Sequence, residues 1–165
     1  LQHEGWLSRH GKAGYQVPAF TAEEASELSL LRLQLEPLAL RLAAPALTYA
    51  ELGQAEDALS QLDRQRDLPA YQRGELNWQF HRCLYQACKM PHLLRLLDQL
   101  HQQVSRYLGY QEHTLNYLNT SAREHDELIS LLRSGEVDAA CELLTRHIQS
   151  ANDALSQHLH SKKAP

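Results

Sequence analysis

Apolar side chains recur along most of this chain at the three- and four-residue spacing of a helix. Leu28, Leu31, Leu35, Leu38 and Leu42 form the first such stripe and give that helix one apolar face. It follows Thr21-Ala22-Glu23-Glu24, a capping box whose hydroxyl and carboxylate satisfy otherwise unpaired backbone donors. Pro37 falls inside the stripe and predicts a bend or a split, because it removes a helical hydrogen bond. Thr48-Tyr49-Ala50-Glu51 is a second capping box and opens a helix to about Arg66, with Pro69 as the next break. A third helix is expected from about Pro69 to Cys88, and a fourth from Pro91 to about Tyr117. Thr120 or Ser121 caps a fifth, which Gly135 ends, and the sixth runs from near Glu136 into Lys162-Lys163.

The first twenty residues break the helical pattern. Gly5-Trp6-Leu7-Ser8 and Gly14-Tyr15-Gln16-Val17-Pro18 flank the turn-prone Gly11-Lys12-Ala13-Gly14, which reads as a short β-hairpin. Two strands of that size need support from elsewhere. The expected fold is therefore all-α: an antiparallel bundle of six to seven helices over residues 21–165, preceded by the hairpin of residues 1–20.

Composition supports this reading. Leucine dominates while valine and isoleucine are rare, a bias toward helix over sheet. With 165 residues and 43% hydrophobic side chains, one domain can bury a core without staples. The net charge of −4 argues against a self-sufficient DNA-binding face, which is ordinarily basic. No apolar run is long enough for a bilayer and no leader pattern is seen. Cys83, Cys88 and Cys141 have no metal-type spacing and read as free thiols of a reducing, cytoplasmic setting.

The candidate chemistry lies in the ten histidines. Asn77 and His81 are four apart on the third helix and share a face. His125 sits early on the fifth helix and His147 on the sixth. Packing of those three helices around one core can bring their imidazoles together as ligands for a transition metal, with the Asn77 carbonyl alongside. By spacing alone, each histidine is more often a satisfied core or surface residue. His3 and His10 fall in the hairpin, and His92, His101, His113, His158 and His160 read as solvent-facing. Trp78 and Phe80 read as packing residues.

Four segments resemble the FCD domain of GntR-type regulators of the FadR subfamily. Arg32-x-x-Leu35-Glu36 with Ala43-Ala44 is similar to the family's opening helix. Asn77-x-x-Phe80-His81-x-x-Leu84-x-x-Ala87 resembles its D-x-x-F-H-x-x-L-x-x-A segment. Glu124-His125 with Leu128-Ile129 resembles E-H-x-x-I/L, and Gly135-Glu136 with Ala140 and His147-Ile148 resembles the closing stretch. The leading hairpin resembles the wing of the family's winged helix-turn-helix.

The resemblance implies an effector-sensing, dimerising domain of a transcriptional repressor, and no enzyme. It implies a metal held by an Asp and three His, which fall here on Asn77, His81, His125 and His147. Asn in place of Asp is a weaker oxygen donor and neutralises none of the metal's charge. Zinc or nickel is the expected metal. The implied effector is a small organic acid, with Arg32, Arg106 and Arg123 as basic partners. Operator DNA would be met through the remainder of the N-terminal winged-helix domain, which this sequence lacks. A homodimer would form through an exposed amphipathic helix, the first or the fourth. Two rival readings stand beside this one: a metal-dependent hydrolase using the three imidazoles, and a metal-free dimerisation bundle whose histidines are core residues.

Overall fold

The structure, a computed structural model, describes residues 8–9, 14–16, 21–64, 68–114 and 118–161. Six α-helices are present among the described residues: α1 (Ala22–Ala43), α2 (Tyr49–Arg64), α3 (Ala70–Tyr85), α4 (Pro91–Thr114), α5 (Leu118–Arg133) and α6 (Val137–Ser161). Short 3-10 turns follow α1 at Ala44–Ala46 and α3 at Gln86–Cys88. Ser8–Arg9 and Tyr15–Gln16 pair as two antiparallel two-residue strands. The domain is thus an all-α bundle.

Local chemistry sets the helix ends. Thr21 Oγ1 accepts from the Glu24 amide at 3.1 Å, as its capping box requires. Thr48 is capped reciprocally: Glu51 Oε2 accepts from its amide at 2.8 Å, and Thr48 Oγ1 accepts from the Glu51 amide at 3.3 Å. Gly135 adopts φ +77°, the left-handed geometry that ends α5, and the Glu136 amide closes back on Leu131 O at 2.9 Å. Two expectations need correction. α5 begins at Leu118, so Thr120 and Ser121 lie inside it. Pro37 does not split the first helix, since α1 continues through it to Ala43.

The leucine stripe of α1 faces mostly outward. Leu28 is buried, but Leu31, Leu38 and Leu42 are 45%, 46% and 43% exposed. The face turned inward is Leu28, Arg32, Glu36, Ala39, Leu40 and Ala43. Helix α1 packs on α6 and α4, α2 on α3 and α5, and α3 on α4. Gly74 permits the close approach of α3 to α4, since a Cβ there would stand 3.3 Å from the Ser105 Cβ.

Apolar burial falls into two clusters. The larger joins Ala39 and Leu40 to Phe80, Leu84, Leu97, Leu128, Leu144 and Ile148. The smaller joins Ala22, Ala25 and Leu28 to Leu100, Val104, Leu155 and Leu159. Each fully buried leucine contributes roughly 1.5–3 kcal/mol relative to an exposed one. On α1, the buried pair Arg32 and Glu36 falls between the stretch that enters the smaller cluster and the stretch that enters the larger. Burying those charges opposes folding unless they are paired. Their pairing belongs to the site.

Candidate metal centre

Three helices supply the centre. Asn77, His81 and Tyr85 follow at four-residue spacing along α3, so they share a face, and all three are buried. α5 brings His125 and α6 brings His147, both buried. The ligand atoms of His81, His125 and His147 all lie within 4.8 Å of one another. Ring centroids are 5.1 Å apart for His81 and His125, 4.8 Å for His125 and His147, and 5.7 Å for His81 and His147. Imidazoles tetrahedrally bound to zinc hold their nitrogens about 3.3 Å apart, given a Zn–N bond of about 2.0–2.1 Å.

Burial favours the neutral form of His81 and His125. The His81 imidazole is held well below the usual histidine range by burial, with Glu36 opposing and His147 adding to the effect. His125 is pushed the same way by burial, then by His147 and His81. Nε2 of His81 and both ring nitrogens of His125 are buried without a hydrogen-bond partner. Such orphaned atoms cost about 1–3 kcal/mol each unless something binds them. His147 differs, because its Nδ1 lies 2.7 Å from Glu124 Oε2. A carboxylate there can only accept, so the shared proton is carried by Nδ1, the orientation that second-shell carboxylates impose on metal-ligating histidines.

A polar network adjoins the rings. Arg32 Nε donates to Glu36 Oε1 at 2.5 Å, and Tyr85 Oη donates to Glu36 Oε2 at 2.8 Å. His101 Nε2 stands 3.6 Å from Glu36 Oε1. Burial alone would push the Glu36 carboxyl up; the Arg32 charge and the His101 and His81 rings outweigh it and hold the group well below the carboxylate range. Burial raises the Tyr85 hydroxyl, reinforced by Glu36, so it stays a donor.

The sequence-derived residues are placed as follows. Asn77 lies one turn before His81 on the same buried face. Arg32 is buried against Glu36. Arg123 is exposed on α5, and the Arg106 side chain lies outside the described residues. His101 corrects the sequence reading: it is not solvent-facing but 1% exposed, stacked on Trp78 with centroids 3.8 Å apart. Its position beside Leu97, Leu100 and Val104 on the buried face of α4 was the available signal. Glu36, Tyr85 and Glu124 were missed as site residues. The four-residue steps from Arg32 to Glu36 and from His81 to Tyr85 marked the first two.

Comparison with known proteins decides the family. The model of the FCD domain matches residues 27–150. This chain belongs to the FCD domain family. Among relatives of this FCD domain, the Nta operon transcriptional regulator of Aminobacter aminovorans is 25% identical over 157 residues, 94% of this chain and 72% of its own length. A GntR family regulator from Pseudomonas syringae pv. tomato str. DC3000 superposes with a TM-score of 0.75 at 28% identity, over 97% of this chain and 67% of its own. E. coli McbR/YncC shares the fold, with a TM-score of 0.81 at 21% identity over 95% of this chain and 80% of its own. The FCD domain is thus of the GntR transcriptional regulators. No helix of the described residues is long and apolar enough to cross a membrane.

Proposed function

We propose that this FCD domain senses a small carboxylate metabolite through a divalent transition metal, zinc or nickel, held by His81, His125 and His147. The observation carrying this reading is the meeting of three buried imidazoles from three helices, with His81 Nε2 and both His125 nitrogens lacking protein partners. Imidazole nitrogens suit zinc and nickel. The Asn77 amide, on the His81 face, offers a neutral oxygen alongside. A bound metal supplies a Lewis-acid charge that an anionic metabolite can meet. Arg32 anchors Glu36 through Nε, leaving the Nη donors of its fork for a carboxylate. Arg106 and Arg123 are reserve basic partners for the effector.

Binding of the metabolite biases one of two arrangements of a homodimer and so the placement of winged-helix readers on operator DNA. Residues 1–20 belong, in this reading, to the wing of such a reader. Leu31, Leu38 and Leu42 lie at seven- and four-residue steps on α1, and their exposure supports this helix as the seam between two copies. Leu38→Asp is expected to convert a sedimenting dimer of the FCD domain to monomer; an unchanged sedimentation coefficient removes α1 from the interface.

The effector reading is tested by thermal shift with citrate and simpler carboxylic acids, each with and without zinc. Stabilisation that needs both acid and zinc, and disappears in His147→Ala, is the expected outcome. Acids that stabilise equally without metal contradict it.

A further inference from the structure

We propose that Tyr85 and Glu36 are positioning residues that fix which nitrogen of His81 carries the proton, keeping Nε2 as the ligating atom. The purpose of this device rests on the metal-sensor reading, whereas its geometry stands independently.

The direction of the hydrogen bonds follows from donor counting. Glu36 is completely buried, and Arg32 Nε donates to its Oε1 at 2.5 Å. A carboxylate paired with a guanidinium is acceptor-only, so the bond of 2.8 Å between Tyr85 Oη and Glu36 Oε2 takes its proton from the tyrosine. The hydroxyl has no second proton. Toward His81 Nδ1, 3.2 Å away, Tyr85 therefore presents a lone pair, and Nδ1 must be the donor. A neutral imidazole has a single N–H. Nε2 is then left with its lone pair, and it is the His81 nitrogen that is buried with no partner.

The wire runs in one direction, from His81 through Tyr85 to Glu36, and Arg32 closes it from α1. It crosses from α3 to α1 and does for His81 what Glu124 does for His147. The opposite tautomer would set two lone pairs against each other at Tyr85 Oη and fill the ligating position with a proton.

Nitrogen-15 NMR of the metal-free wild-type protein at neutral pH reads the His81 tautomer directly, and zinc titration of wild type and Tyr85→Phe reads its consequence. Expected are a proton on Nδ1 in wild type, a mixed or reversed tautomer in Tyr85→Phe, and zinc affinity lowered about 10–100-fold with cooperative unfolding retained. A structural role alone would leave the tautomer unmoved. A wild-type proton on Nε2, or a folded Tyr85→Phe variant with unchanged zinc affinity, overturns the assignment. Failure of the wild type to bind zinc sinks the sensor reading instead, and the tautomer measurement, which needs neither metal nor variant, still decides the positioning role.

Discussion

Glu36→Ala is expected to destabilise the domain by about 3–5 kcal/mol, the range for removing one partner of a buried ion pair. The reason is geometric. Glu36 is fully buried and accepts from Arg32 at 2.5 Å and from Tyr85 at 2.8 Å. Alanine leaves the guanidinium, itself 5% exposed, without a counter-charge, and leaves the tyrosine hydroxyl without its acceptor. Desolvation of an unpaired charge outweighs the small relief of deleting a carboxylate. Glu36→Gln keeps an acceptor in place and is expected to lose less. Urea denaturation followed by circular dichroism measures both. A loss below about 1 kcal/mol for the alanine variant would mean that Arg32 finds solvent on its own, since surface ion pairs are typically worth that little.

How much of this was legible in the sequence depends on whether the feature is local. The caps at Thr21 and Thr48 involve residues three apart, and both formed as the residue types require. The left-handed stop at Gly135 is equally local. Periodicity found the leucines of α1 but not their direction. A stripe looks the same whether it faces its own core or a second surface, and Leu31, Leu38 and Leu42 are exposed. The face that is buried carries Arg32 and Glu36, which a hydropathy pattern reads as outward. Pro37 lacks an amide donor, yet α1 persists because its packing on α6 and α4 outweighs one lost bond.

The site shows the same division. Asn77 and His81 share a face by spacing alone, whereas His125 and His147 reach His81 only through the packing of α5 and α6. His101 was misplaced because a lone histidine is ordinarily outward. Its burial is supported by the Trp78 ring stacked on it and by Glu36 at 3.6 Å, both from other helices.

The second large effect concerns the centre itself. His125→Ala should remove zinc binding while leaving the metal-free domain folded. His125 is 1% exposed with both nitrogens lacking a protein hydrogen-bond partner, so its imidazole is a burden on the metal-free fold. Deleting it relieves about 1–3 kcal/mol of unmet polar burial per orphaned atom, offsetting much of the cavity it leaves. A ligand histidine thus has a distinct signature: its loss costs little stability without metal and all of the stabilisation with it. For a core histidine with a packing role, the reverse holds. Saturation at about 1,000 times the dissociation constant stabilises by roughly 4 kcal/mol, which a melting curve resolves readily.

Calorimetric titration of the metal-free protein with zinc, repeated with nickel, puts the three-imidazole centre to its most direct test. Equimolar binding in wild type, abolished in His125→Ala with the fold intact, is the expected result. Absence of saturable binding of either metal to the folded wild-type protein would contradict a metal centre at His81, His125 and His147.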